Sequence, residues 1–292
     1  MAETVRLDFE DLPSLGAGYR RALFAGKKRL RPGDTIGRFE ASIKGVELDA
    51  RRLASYRQVC GFASGDAVPL TYPHILAAPL HLAVLTHPSF PVAAMGIIHA
   101  RNTIVQHGTL RAGDRLDLAV VVDGTREVRN GFEFDVLTAA SVRGNVAWES
   151  VTTVFVRRKT AEGAPRPAAG QKPTDPAPMA ETTPWTVPAN QGRLYAKVSG
   201  DYNPIHLWPI TAKLLGGFPR PIAHGMWTMA RCVAALEGRA PSPVARLEVE
   251  FKRPVLLPAA TVFGVSTTDG GFAFDLRDKD GKKAYLSGTW VG

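Results

Sequence analysis

Residues 199–226 read SGDYNPIHLWPITAKLLGGFPRPIAHGM, and the rest of the chain is organised around them. Asp201, Asn203 and His206 fall within six residues of one another. Pro204 stands between them and breaks any regular helix, so the spacing predicts a shaped loop. A carboxylate and an imidazole on one rigid loop can share a water molecule, one group orienting it while the other takes or returns its proton. Downstream, Pro221, His224 and Gly225 lead into MWTMARCVAAL (Met226–Leu236), apolar almost all round except at Arg231 and followed by Gly238. That is the pattern of a buried helix. The start of such a helix offers free backbone N–H groups and a positive dipole end, which can hold a developing oxyanion.

Tyr195, the run Ser199-Gly200-Asp201-Tyr202-Asn203-Pro204-Ile205-His206, then Gly217-Phe218 and Pro221-Ile222-Ala223-His224-Gly225-Met226 together resemble the signature of MaoC-like dehydratases, the type-2 enoyl-CoA hydratases. A spaced string of this length is far more specific than a lone glycine motif. The resemblance implies an α+β architecture, the hot-dog fold, in which a long central helix is wrapped by an antiparallel sheet. It also implies addition or removal of water across the 2,3-double bond of a fatty acyl thioester, with the (3R)-hydroxy form as the hydrated partner. The chain departs from the family's pattern twice: Trp208 stands where an acidic residue is usual, and the Gly216-Gly217 pair is one residue longer.

The 292 residues suffice for one large domain or two ordinary ones, and 45% apolar with 22% charged residues is the composition of a soluble globular protein. Cys60 and Cys232 lie far apart outside any CxxC spacing, and the acidic opening Met1–Leu12 lacks the basic-then-apolar order of a leader. A reducing cytoplasm is therefore expected. No apolar run approaches the ~20 residues that cross a bilayer. The longest, Ile75–Leu85, is interrupted by Pro79 and His81, and membrane insertion is not expected. The formal charge of +9, from 36 basic and 27 acidic residues, favours anionic partners. The basic residues are dispersed and no nucleic-acid-binding motif accompanies them, so nucleic acid is not expected. Coenzyme A phosphates or an acidic acyl carrier protein suit the sign, and so does a solvated surface with no dedicated partner.

Along the chain, Leu7–Leu15 and Tyr19–Arg31 show no firm periodicity, although the second stretch is the most basic. Leu48–Phe62 has helical spacing and ends in Ser64-Gly65-Asp66-Ala67-Val68-Pro69-Leu70. Aligned on Ser199-Gly200-Asp201 at an offset of 135 residues, this heptad matches Pro69 to Pro204 and sets Val68 and Thr71 against Asn203 and His206. On that reading the first copy keeps the frame without the chemistry. His74–Leu85 then answers His224–Leu236 as a second buried helix, with nothing equivalent to Leu207–Arg220, which predicts an open groove beside it. Strand patterns follow at 115–122, 132–140 and 146–156, and again at 245–252, 261–267, 272–276 and 284–291. The stretch 160–184 is rich in Pro, Ala, Gly and Thr, the composition of an extended linker. The expected organisation is a first repeat at 1–158 that accommodates the acyl chain, a linker at 159–184, and a catalytic repeat at 185–292. Two such units in one chain pair their sheets as a pseudo-dimer. A homodimer of the chain is compatible with this plan.

Taken alone, Asp201 reads better as a capping aspartate and His206 as a satisfied loop histidine. Their joint spacing inside the long motif favours the acid–base pair. Asn203 supports the loop or orients water, because an amide has no useful pKa. His224 either contacts the thioester or holds the loop through a ring hydrogen bond. At Gly225 the missing side chain lets a carbonyl reach the backbone N–H. The resemblance places Phe251 beside the thioester; as a bare strand residue it would be ordinary core. The histidines at 74, 81, 87, 99 and 107 lack HExxH or 2-His-1-carboxylate spacing, so no metal and no cofactor are expected. A hydro-lyase acting on acyl-CoA or acyl carrier protein is the leading function. A hot-dog thioesterase and a non-catalytic acyl-binding subunit are the alternatives.

Overall fold

The computed structural model describes residues 4–24, 28, 30–31, 33–158, 177–239 and 244–292. The first part of the chain runs β1 (Val5–Phe9), α1 (Leu15–Phe24), β2 (Phe39–Glu47), α2 (Ala50–Cys60), α3 (Tyr72–Leu85), β3 (Ile98–Gln106), β4 (Arg115–Val122), β5 (Arg126–Val128), β6 (Gly131–Val142) and β7 (Asn145–Arg157). The second runs β8 (Glu181–Val187), α4 (Gln191–Ser199), α5 (Pro209–Gly216), α6 (Gly225–Leu236), β9 (Ala245–Phe251), β10 (Ala259–Thr268), β11 (Gly271–Asp278) and β12 (Ala284–Val291).

One continuous sheet links the two parts, in the order β1-β2-β4-β6-β7-β3-β9-β12-β11-β10-β8, with β5 on β6. Among the described residues only β1 pairs in parallel. From β2 to β3 and from β8 to β9 the order is the same read outward and inward, so the two repeats are related by a pseudo-twofold axis at the antiparallel β3–β9 pair, where Ile104 faces Leu247 and Asn102 faces Val249. Along β9, Ala245, Leu247 and Val249 are buried while Arg246, Glu248 and Glu250 are exposed, so the sheet has one core face. The buried helices α3 and α6 fill the concave side of each half-sheet. This is the tandem hot-dog plan.

The helices α2 and α4 join the repeats on the inner side. Tyr56 and Tyr195 bring their rings to 6.3 Å, and the Trp227 indole donates to the Val59 carbonyl at 3.1 Å. Arg57, only 5% exposed, donates to the carbonyls of Ala63 and Ala67 and pairs with Glu237 of the other repeat at 2.8 Å. Among the described residues no helix is long and apolar enough to cross a membrane.

Three expectations need correction. Residues 159–176 of the expected linker lie outside the described residues, but Glu181–Pro184 belong to β8, where Pro184 is tolerated because the strand pairs only with β10 and lies at the sheet's edge. The heptad alignment is also displaced. Val68 N–H bonds the Leu110 carbonyl and Ala112 N–H the Asp66 carbonyl, as Ala223 N–H bonds Val255 and Leu257 N–H bonds Pro221. Asp66 therefore corresponds to Pro221, and the helix caps place Thr71 opposite His224. The left-handed caps Gly61 after α2 and Gly200 after α4 are the matching points before the loops. Finally, the groove beside α3 is not left open, because α1 lies on it. Gly18 packs so closely that a Cβ there would come within 2.4 Å of Leu82.

Candidate active site

The site loop is built by a chain of local bonds leaving α4. The Ser199 hydroxyl donates to the Tyr195 carbonyl at 2.8 Å and accepts the Asp201 N–H at 3.1 Å. Asp201 Oδ1 accepts the Asn203 N–H at 3.1 Å, an Asx turn, and the Asn203 side-chain oxygen caps the single 3-10 turn Pro204–His206. Each bond spans only a few residues, and this explains why the motif reads as a unit in sequence.

His206 is fixed by contacts from farther away. Its Nδ1 lies 2.8 Å from the Ile222 carbonyl, which accepts only if Nδ1 carries the proton, leaving Nε2 with the basic lone pair. By the same argument His224 donates through Nε2 to the Asp201 carbonyl at 3.0 Å. The two rings stack with centroids 3.7 Å apart. His206 and His224 are buried, whereas the Asp201 side chain is 39% exposed, with Oδ2 3.8 Å from His224 Nε2.

These surroundings set the protonation states. Burial pushes the His206 imidazole down, only partly opposed by Asp201 and the Ile222 carbonyl. His224 is pushed down to about 3 by burial and by His206, with Asp201 opposing. For Asp201, loss of solvent acts upward, but His224, His206, the Tyr19 hydroxyl and the Asn203 N–H outweigh it and hold the carboxyl below its usual range. Neutral imidazoles beside an ionised carboxylate are the resting state needed for proton transfer.

Gly225 begins α6 behind these groups, and a Cβ there would meet the Phe251 ring at 3.2 Å. The bare helix start and the Phe251 ring thus lie side by side. Trp208 has its own explanation: the Arg193 guanidinium lies 4.3 Å over its ring and donates to the Leu207 carbonyl at 3.0 Å. In the glycine pair, Gly216 packs against Phe218 and Ile205 while Gly217 takes φ +70° to cap α5.

Two contributors escaped the sequence reading. Tyr19, on α1, donates to Asp201 Oδ1 at 2.6 Å. Gly192, in the first turn of α4, lets the His206 carbonyl approach so closely that a Cβ would sit 1.9 Å from it. The helical spacing around Gly192 is the only signal that could have suggested a close approach. Nothing near Tyr19 pointed to the loop. The structure also assembles a two-histidine, one-carboxylate set that linear spacing concealed: ligand atoms of Asp201, His206 and His224 lie within 4.8 Å of one another. A divalent cation would have to take the lone pairs that acid–base chemistry requires.

Known proteins resemble this chain over most of its length. The sequence profile described as MaoC like domain matches residues 167–285. The chain is 39% identical over 262 residues to 3-hydroxyacyl-thioester dehydratase X of Mycobacterium tuberculosis, covering 89% of this chain and 91% of that protein. The chain belongs to the MaoC-like dehydratase family. The crystal structure of HtdX from the same organism superposes on this MaoC-like chain with a TM-score of 0.75 at 36% identity, covering 87% of this chain and 99% of that one. A MaoC-like dehydratase from Phytophthora capsici, at 19% identity and TM-score 0.68, shares the fold over 86% of this chain and 94% of its own.

Proposed function

We propose that the protein is a (3R)-hydroxyacyl-thioester dehydratase, acting in reverse as an R-specific 2-enoyl-thioester hydratase, with Asp201 and His206 as its acid–base pair. The observation that carries this reading is the buried His206, its Nδ1–H tied to the Ile222 carbonyl so that Nε2 keeps its lone pair, with a ring nitrogen within 4.8 Å of an Asp201 carboxylate oxygen. In dehydration, His206 Nε2 takes the proton from C2, and the electrons pass into the thioester as an enolate. The Gly225 N–H at the start of α6 stabilises that charge. As the enolate collapses to the 2,3-double bond, the C3–O bond breaks and the hydroxyl leaves with the same proton as water. Asp201 orients the hydroxyl and stabilises the transient imidazolium. Asn203 and His224 hold the loop, and Phe251 lines the wall beside the thioester.

The family membership and the relatives' names support an acyl thioester as substrate, carried by coenzyme A or by an acyl carrier protein. In this division of labour, residues 185–292 hold the chemistry and the first repeat receives the tail, in fatty acid metabolism within the cytoplasm. Loss of enoyl absorbance on adding crotonyl-CoA, with the product oxidised by an R-specific and not an S-specific 3-hydroxyacyl dehydrogenase, is the expected result. Release of free thiol without loss of the double bond would instead establish a thioesterase.

A further inference from the structure

If the protein is the dehydratase proposed, an acyl tail longer than four carbons must leave the neighbourhood of Asp201 and His206, and Phe251 sits between Gly225 and a group of rings in the first repeat. The Phe251 ring meets Gly225 on one side and lies 4.7 Å from the His99 ring on the other. His74 is 6.1 Å from His99 and 4.9 Å from His81, centroid to centroid. These rings belong to α3 and β3 of the first repeat, and the chemistry uses none of them. His74 also lies within electrostatic reach of Asp201.

Burial leaves this cluster uncharged: His74 is pushed down to about 4 and His99 to about 3, while His81 falls well below its ordinary value. A neutral imidazole has one N–H and one lone pair to satisfy. His81 Nε2 finds the Thr138 hydroxyl at 2.8 Å. By contrast, His74 Nδ1 and His99 Nε2 are buried without a partner among the described residues, and His74 as a whole is only 8% exposed. The Arg101 backbone favours the charged form of His99, but burial outweighs it. Whether it carries the proton or the lone pair, each of these two nitrogens lacks the partner it needs.

A hydrocarbon tail laid along these rings leaves both nitrogens unsatisfied, and buried polar groups without partners are disfavoured. A hydroxyl on the tail donates to whichever of these nitrogens holds the lone pair and accepts from one that holds the proton. The geometry points to a polar subsite in the tail path, formed by His74 and His99, that selects acyl thioesters carrying a hydroxyl group on the chain beyond the reacting carbons.

The test compares wild-type kcat/KM for trans-2-decenoyl-CoA with that for the same chain bearing one hydroxyl at each carbon from C6 to C10, with crotonyl-CoA as the control substrate. One hydroxyl position is expected to exceed the plain chain by about tenfold or more, since a site built to bond a hydroxyl discriminates strongly against its absence. That ratio should fall to about one in His99→Phe and His74→Phe and recover partly in His99→Gln, which restores a hydrogen-bonding group, with thermal midpoints confirming folded protein. Crotonyl-CoA turnover together with no preference at any position overturns the subsite. So does a preference that survives both phenylalanine variants. A wild-type enzyme inert toward crotonyl-CoA overturns the dehydratase reading itself, and the subsite with it.

Discussion

The Tyr19 hydroxyl donates a 2.6 Å hydrogen bond to Asp201 Oδ1, joining a helix of the first repeat to the Ser199–His206 loop of the second across 182 residues. Burial and the Asp201 charge raise the phenol's pKa, so it remains a donor. The bond helps to hold the Asp201 carboxyl low. Removing it in Tyr19→Phe raises the carboxyl, and a more basic carboxylate also favours the His206 imidazolium. The apparent pKa values belong to the coupled pair, and both move upward. The acid limb of kcat/KM for crotonyl-CoA should therefore shift to higher pH, with kcat reduced about tenfold on the scale of a lost charge-assisted hydrogen bond. A pH–rate profile superimposable on wild type would reduce Tyr19 to packing.

Asp201→Asn and His206→Ala should each lower turnover of crotonyl-CoA by ~10²–10⁴ while leaving the thermal midpoint close to wild type, because each removes an acid–base group from a loop. Asp66→Ala is the contrast. Asp66 is paired with Arg111 on the surface, 71% exposed, and corresponds in the fold to Pro221, so its loss should leave turnover unchanged. Steady-state rates of the three purified variants decide which repeat carries the chemistry.

Gly192→Ala should disable the enzyme from outside the reacting groups. The added Cβ would stand 1.9 Å from the His206 carbonyl, and backbone on both sides must shift to admit it. A cost of about 1–3 kcal/mol in stability is expected from such overpacking. Displacement of His206 should also lower kcat more than KM changes. Urea denaturation and kinetics on the same preparation measure both effects.

Activity toward crotonyl-CoA should survive dialysis against EDTA and be unaffected by added Zn²⁺ at stoichiometric amounts. Asp201, His206 and His224 are close enough to bind a cation, but the proposed chemistry needs the His206 Nε2 lone pair unoccupied. Loss of activity on chelation, restored by metal, would reassign the three residues as ligands.

Stability should decline as pH falls below about 6.5, and the buried histidines give the sign. His74, His99 and His224 have folded-state values of about 4, 3 and 3 against an ordinary 6.5. The unfolded chain therefore binds more protons than the folded one throughout that window, and stability rises with pH across it. The contribution is fully present above 6.5 and is lost progressively toward the folded values. Thermal midpoints measured from pH 7.5 to 4.5 should fall less steeply in His74→Phe than in wild type.

The run Ser199–His206 was legible in sequence because its geometry is local. Ser199, Asp201 and Asn203 bond backbone groups at most four residues away, and Pro204 fixes the turn, so residue type and spacing carry the shape. The buried helices α3 and α6 and most strands were legible for a similar reason, since apolar continuity or alternation records which faces meet the core. Strands β1, β2, β3, β5 and β8 were not identified. β8 lies at an edge, carries Pro184 and buries only Val187 fully, so its composition is close to that of a linker. The repeat was detectable, but its register was not. Ser-Gly-Asp recurs by composition, while the true correspondence follows the backbone ladders at Val68–Leu110 and Ala223–Val255.

By itself the sequence determined the family signature, the tandem plan and the candidate acid–base residues, because those depend on contacts between near neighbours and on side-chain chemistry. Only the tertiary structure decided that α1 closes over α3, that Tyr19 reaches Asp201, that Gly192 admits the His206 carbonyl, and that His74 and His99 face one another beside Phe251. Each of these joins segments brought together by sheet pairing and helix packing. Such neighbours share no local bond or periodicity through which one position could reveal the other.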